Sequence, residues 1–307
     1  MSKPRSNRRP IDGVLLIDKP YDISSNGALQ KARWLLNAAK AGHTGVLDPL
    51  ATGLLPVCLG EATKFSSYLL DADKGYRATV KFGVVTTTGD VEGEVVSERP
   101  VVFDREGLLA AMEAFRGEIS QVPPMYSALK HQGKPLYEYA RAGIEIEREA
   151  RWVHIRKLEL ISLDGDSAVI EVLCSKGTYI RTLACDIGEA LGCGAHLTGL
   201  RRTATGGFTL DEALQLADIE ALEMPQREAL LLPADILVRH LPEAELAADE
   251  AGRFMHGQPV RFTEKCAKMQ RFRIYREGSR EFLGLGEARD DGRLHPIRLL
   301  ASKAETS

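Results

Sequence analysis

The order of apolar and polar positions along the chain predicts a succession of short strands and helices. Residues 13–17 are almost unbrokenly apolar and stop at Asp18-Lys19-Pro20, the mark of a short buried strand. Behind Ser24 and Ser25, either of which can cap a helix, Ala28, Leu29, Ala32, Leu35, Leu36 and Ala39 follow helical spacing. Residues 42–53 hold three glycines and a proline and read as a loop. Residues 54–59 then read as a strand and 61–70 as a helix. Tyr76, Ala78, Val80 and Phe82 alternate with polar residues at strand period. Residues 153–162 and 168–174 form two more strands joined through Asp164-Gly165, a hairpin turn signal, and 178–191 read as a helix that follows at once.

Two regions break this rhythm. Residues 121–151 open with Gln121-Val122-Pro123-Pro124, where adjacent prolines exclude a regular element, and carry Lys130, Lys134, Arg141, Arg148 and Arg151. They read as a protruding, mobile insertion. Residues 209–250 have helical patterning broken at Pro225 and Pro233. Beyond residue 250 the pattern turns to short strands at 259–262, 272–275, 282–287 and 294–299, so a domain boundary is expected between 245 and 252. Strands and helices without regular βαβ alternation give an α+β fold, with a small β-rich module after the main domain.

The full 307 residues can hold one large domain and a smaller one. No apolar run nears the roughly 18 residues that span a bilayer. The basic start, residues 1–10, reads as a disordered tail, and the apolar stretch after it is too short for a signal-peptide core. A cytoplasmic protein is expected. The five cysteines form no CxxC pair and the seven histidines no paired motif, so reduced thiols and no metal are expected. Net charge is only −3, but 209–250 is strongly acidic and 251–303 basic. A basic segment can bind phosphates, or can simply be solvated surface.

Three segments could carry chemistry. In residues 42–53, glycines surround one carboxylate, Asp48, and Pro49 stiffens the chain directly after it. Asp48 can be a nucleophile or base, or can merely cap a turn. The GxxxxGK[ST] order of a phosphate loop is absent. In residues 175–188, Gly177 separates a strand from a helix whose first turn holds Tyr179 and Arg181. Arg181 paired with Asp48 would keep that acid ionised when buried; alone, it is a surface arginine with a helix partner. Tyr76, at a strand start, can stack on a base or pack in the core.

Residues 18–26 (DKPYDISSN), 42–64 (GHTGVLDPLATGLLPVCLGEATK), 74–78 (KGYRA), 121–130 (QVPPMYSALK) and 177–188 (GTYIRTLACDIG) together resemble the TruB family, the bacterial tRNA pseudouridine-55 synthases. They occur in the family's order and cover most of residues 13–205. The resemblance implies a pseudouridine-synthase-type mixed sheet over residues 11–250, an RNA-clamping insertion at 121–151, and a PUA-like RNA-binding domain at 251–303. It further implies that Asp48 is the essential aspartate and Arg181 its partner. His43 is implied to fill space in the RNA once the target uridine flips out. Tyr76 is implied to stack on the flipped uracil and Tyr179 to lie at the base pocket. By the same resemblance Leu200 forms an apolar wall, and Lys19 and Pro20 brace the floor.

The implied reaction breaks the N1–C1′ bond of uridine, turns the base and rejoins it through C5, with no cofactor. A tRNA T-stem-loop is the implied partner, with no membrane or protein partner, and a monomer is expected. Two other classes compete. One is an RNA-binding or chaperone module in which Asp48 is structural. The other is a glycosidase, which usually needs a second acid, and the two segments offer only Asp186.

Overall fold

The computed structural model describes residues 8–262 and 267–301. Ten strands form one mixed sheet. Its main path runs Leu214–Gln215, Gly13–Lys19, Thr52–Leu59, Ala195–Thr205, Lys74–Phe82, Ser167–Cys174, Arg151–Asp164, Gly117–Gln121. The short strands Ala41–His43 and Phe208–Thr209 attach to Thr52–Leu59 and Ala195–Thr205. Two contacts are parallel: Gly13–Lys19 with Leu214–Gln215, and Thr52–Leu59 with Ala195–Thr205.

The apolar patterns decide which faces are covered. Leu15 and Ile17 pack under the helix Ser25–Leu35, while Val14 and Leu16 pack on the opposite face against Phe65, Leu69 and Phe208. A strand buried on both faces needs a continuous apolar run, which is what residues 14–17 supply. Tyr76, Ala78, Val80 and Phe82 instead share one face and a core with Ile180, Leu183, Ala184 and Ile187 of the helix Ile180–Ala190. Each fully buried Leu, Ile or Val contributes about 1.5–3 kcal/mol.

Several expectations shift in detail. Residues 1–7 of the expected tail lie outside the described residues, but Arg9 is held: its amide donates to the Asn37 carbonyl at 2.8 Å. The first helix ends at Leu35, Asn37 turns at φ 50°, and Ala39 is exposed while Ala38 is buried. The expected loop 42–53 starts and ends in strand, because Ala41–His43 pairs with Leu59, Cys58 and Val57. Residues 61–70 split into a 3-10 turn, Gly60–Phe65, and a helix, Ser66–Leu70. Pro225 starts a helix rather than breaking one, since it stands in the first turn of Met224–Ala229, where its missing N–H costs nothing.

Residues 121–151 hold two two-residue strands and the helix Leu136–Arg141; residues 141–151 are largely exposed, while the Tyr126 carbonyl near the start of the segment reaches Arg181. Gln121, at its start, exchanges two hydrogen bonds with the Tyr179 backbone.

Among the described residues the second sheet has five strands, in the order Glu243–Leu246, Arg271–Arg276, Phe282–Ala288, Arg293–Leu299, Val260–Arg261. It therefore begins eight residues before the expected start at 251: among the described residues Glu243–Leu246 has a strand partner only in Arg271–Arg276, so pairing assigns it to the later module. Phe282, Leu285, Ile297 and Leu300 of this module pack on Phe65 and Leu69, so the two sheets share a core.

At the centre of the main sheet, Gly53 (φ +103°) lies so close to Arg202 that a Cβ there would meet the Arg202 carbonyl oxygen at 2.3 Å. Backbone on backbone cannot give way cheaply. Gly53→Ala is expected to lower unfolding stability by roughly 3 kcal/mol, measured by urea titration; a loss under about 1 kcal/mol would mean that the parallel contact is not rigid.

Candidate active site

Asp48 sits on a loop between Ala41–His43 and Thr52–Leu59, and the chain before the first helix staples that loop in place. Ser24 is the helix cap, accepting from the Gly27 amide at 3.0 Å. Ser25 is thereby turned inward, where its Oγ accepts from the Leu47 amide at 2.7 Å and donates to the Leu47 carbonyl at 3.0 Å. On the other side of Asp48, the Pro49 carbonyl accepts from the Asp22 amide at 3.0 Å and from Lys19 Nζ at 3.2 Å. Lys19 is fully buried and also donates to the carbonyls of Pro20 and Ile23. Burial pushes its amine down to about 8, against the pull of Asp48. Fixed backbone on both sides leaves Asp48 little freedom beyond its own side-chain torsions.

Arg181 meets it from across the sheet end. Gly177 turns at φ +80°, Tyr179 is the extended residue before the helix, and Arg181 is the second residue of Ile180–Ala190. Its guanidinium lies 3.0 Å from Asp48 Oδ2 and 3.5 Å from Asp90 Oδ2. It also donates to the Thr88 carbonyl at 3.0 Å and the Tyr126 carbonyl at 2.6 Å. The side chain is 6% exposed, whereas that of Asp48 is 36% exposed. Burial nonetheless raises the Asp48 carboxyl above the ordinary aspartate range; Arg181 opposes the rise and Asp90 adds to it. The ion pair thus offsets desolvation only in part, because Arg181 is shared with a second acid.

Asp48 opens onto a cavity of about 220 Å³. Tyr76, Tyr179, Arg181 and Leu200 all line it, so the structure brings together five of the eight site residues picked from sequence. Tyr179 lies with its ring 5.0 Å from the Arg151 guanidinium. Lys19 and Pro20 do not line the cavity; they stand behind the Asp48 loop. His43 is also outside, half-buried on its short strand, with Nδ1 buried and unpartnered. Burial, and next the charge of Arg202, keep its pKa below the usual histidine value.

Sequence reading missed four residues here. Asp90, 2% exposed, is the second acid on Arg181; nothing in its local sequence marks it. Arg202 is buried, lines the cavity and is the strand partner of Tyr76. Ser127, within the PPMYSA run, has a buried Oγ with no partner, on the wall between this cavity and a second one lined by Asp90, Glu92 and Arg141. Gln121 holds the Tyr179 backbone from the insertion. A double-proline run next to basic residues was the one signal that this segment does more than connect. Among the described residues no three His, Cys, Asp or Glu side chains gather as metal ligands, and no helix is long and apolar enough to cross a membrane.

Residues 33–180 match the family model described as TruB family pseudouridylate synthase, N-terminal domain. Residues 181–239 match the tRNA pseudouridylate synthase B C-terminal domain, and 242–300 match Pseudouridine synthase II TruB, C-terminal. The chain belongs to the TruB family. It is 82% identical over 99% of its length to the whole tRNA pseudouridine synthase B of Chromobacterium violaceum. It is 57% identical over 98% of its length to that of Aromatoleum aromaticum, covering 96% of it. Among solved structures, a Cbf5–Nop10–Gar1 complex contains a chain that superposes with a TM-score of 0.70 at 26% identity, over 98% of this chain and 90% of that one. Membership of the TruB family makes this chain a pseudouridine synthase, an isomerase, and it fits the mixed sheet with its separate β module. The family match beginning at residue 242 agrees with the strand Glu243–Leu246 in putting the start of that module ahead of 251.

Shared use of Arg181 has a measurable consequence. The Asp48 carboxyl, followed by carbon NMR, is expected to titrate above an ordinary aspartate and to move down in Asp90→Asn, which removes a nearby negative charge. An unchanged or higher value in the variant would mean that the two acids do not compete for Arg181.

Proposed function

We propose that this enzyme isomerises a uridine of tRNA to pseudouridine, by resemblance the one at position 55 in the T-loop, with Asp48 as the essential carboxylate. The observation that carries this reading is a fixed carboxylate facing a base-sized cavity whose walls are an aromatic ring, Tyr76, and an apolar side chain, Leu200. The names of its relatives support tRNA as the substrate. Such an enzyme works where tRNA is, in the cytoplasm.

A uridine stacked in folded RNA cannot reach a recessed carboxylate, so it must flip out at a cost of a few kcal/mol. Stacking on Tyr76, typically about 1–3 kcal/mol, offsets part of that cost. His43 lies outside the cavity on the strand before the Asp48 loop, a position suited to filling the space the base leaves. Asp48 then attacks C1′, adds to C6 of the uracil, or takes a proton from C2′. Each route needs it ionised. The uracil must stay enclosed while it turns, which the apolar wall at Leu200 and the overlying residues Ser127 and Ala128 favour. Tyr179 and Arg151 form a stacked pair at the rim, Lys19 holds the loop from behind, and Pro20 supplies one of its acceptors.

The insertion 121–151 and the C-terminal module are the proposed RNA contacts. In the module, Arg261 and Arg293 stand directly opposite each other on an antiparallel pair, and both are exposed. Like charges so placed repel each other. A phosphate between them would relieve that repulsion.

Asp48→Asn is expected to abolish tritium release from C5-labelled tRNA while binding stays within about threefold. Substantial release would take Asp48 out of the mechanism; binding without release by the unaltered enzyme would make it an RNA-binding module, and free uracil among the products a glycosidase. Because the Asp48 pKa is raised, single-turnover rates should fall on acidification at a pH above that of an ordinary aspartate. Arg261→Glu with Arg293→Glu should weaken tRNA binding at least tenfold and flatten its salt dependence, with saturated turnover unchanged. Unaltered affinity would remove this module from the RNA interface.

A further inference from the structure

Arg202 is a buried charge without a counter-charge. It is 1% exposed and sits on the central strand Ala195–Thr205, directly across from Tyr76 on one side and Gly53 on the other. Its Nε donates to the Leu54 carbonyl at 2.7 Å and one terminal nitrogen reaches the Gly45 carbonyl at 3.5 Å, while Tyr76 is its partner on the neighbouring strand. Among the described residues no carboxylate pairs with it, unlike Arg181, which has two, and Arg201, which has Asp18. Neutral acceptors leave the positive charge uncompensated, an arrangement that is costly unless something anionic occupies the site during function. Arg202 also lines the floor of the cavity that holds Asp48, Tyr76 and Leu200.

On the two routes in which Asp48 acts on the sugar, the reaction generates such an anion. When N1–C1′ breaks, its electron pair stays with the base and gives a uracil anion spread over N1, O2 and O4. C1′ meanwhile bonds to an Asp48 oxygen, or forms a double bond to C2′ as Asp48 takes the C2′ proton. In the second half, C5 bonds to C1′, the bond or proton taken by Asp48 is returned, C5 loses its proton and N1 gains one, so atoms and charge balance. The anion exists while the base turns against Tyr76, and Asp48, by then neutral as an ester or an acid, brings no positive charge to it. Arg181 is already engaged by two carboxylates and two carbonyls. We propose that Arg202 is a further catalytic residue that stabilises the detached uracil anion from the cavity floor, an inference that rests on the cavity being the uridine site. Its bonds to Leu54 and Gly45 fix the guanidinium beforehand, so no reorganisation is needed when the charge appears.

The test compares leaving groups. Arg202→Gln and Arg202→Lys are assayed under single turnover on tRNA transcripts made with uridine or with 5-fluorouridine, following loss of the target nucleoside by digestion and chromatography. Fluorine stabilises the base anion by itself, so a residue that stabilises that anion matters less. On uridine, Arg202→Gln should lose at least 100-fold in rate with tRNA affinity within about threefold, and Arg202→Lys should lose less. On 5-fluorouridine the Arg202→Gln deficit should shrink at least tenfold. An equal deficit on both substrates would make Arg202 a holder of Tyr76 only, and no deficit would leave it without a role. If Arg202→Gln fails to fold, the same substrate comparison on Arg202→Lys decides. Asp48→Asn, run alongside, should convert neither substrate; if it converts both, the uridine-site reading itself fails, whatever Arg202 does.

Discussion

Arg181 holds two carboxylates with one guanidinium, and the geometry of the whole site follows from that sharing. A planar fork can serve Asp48 and Asp90 together only if both acids and the first turn of its helix are fixed in advance. Asp90 is anchored by Thr88 and by the Glu92 amide, Asp48 by the backbone bonds on either side of it, and the helix by the core under Leu183, Ala184 and Ile187. Two acids on one arginine leave Asp48 incompletely compensated. Asp48, the one open to the cavity, carries that imbalance as a raised pKa.

This arrangement explains why so much of the surrounding backbone is tied down. Leu47 and Ala51 seat the Asp48 loop in the core, and the turn after Gly13–Lys19 and the start of the first helix tie down its backbone, through Lys19, Asp22 and Ser25. The insertion supplies more, giving the Tyr126 carbonyl to Arg181 and Gln121 to Tyr179. Residues from five separate stretches thus meet at one end of the sheet. Preorganised polar groups act most strongly where water is excluded, and the buried lysine and two buried arginines here are fixed by backbone carbonyls.

The resemblance named Asp48, Arg181, Tyr76, Tyr179 and Leu200, and the structure gathers these five around one cavity. Periodicity alone would have left Tyr76 as packing and Arg181 as a surface charge. Asp90 and Arg202 escaped because their meaning is relational. An aspartate in a TTGDVEG turn looks like any turn residue, and an arginine in LRRTAT like any strand residue, until the fold puts a guanidinium beside one and a phenol beside the other. The insertion is legible only in part for the same reason. Adjacent prolines do forbid regular structure locally, but they do not say that Tyr126 and Gln121 reach Arg181 and Tyr179.

By itself, the sequence determined the strands and helices with strong periodicity, the buried double-faced strand at residues 14–17, and the stiff glycine-bracketed loop that carries Asp48. Those features depend on neighbours within a few residues, where covalent geometry and side-chain spacing act directly. Tertiary structure alone decided which charges face each other, that Glu243–Leu246 joins the second sheet, and that Arg202 is buried without an acid. Desolvation and Coulomb energy depend on distance through space, and the order of residues along a chain does not contain that distance until the chain has folded.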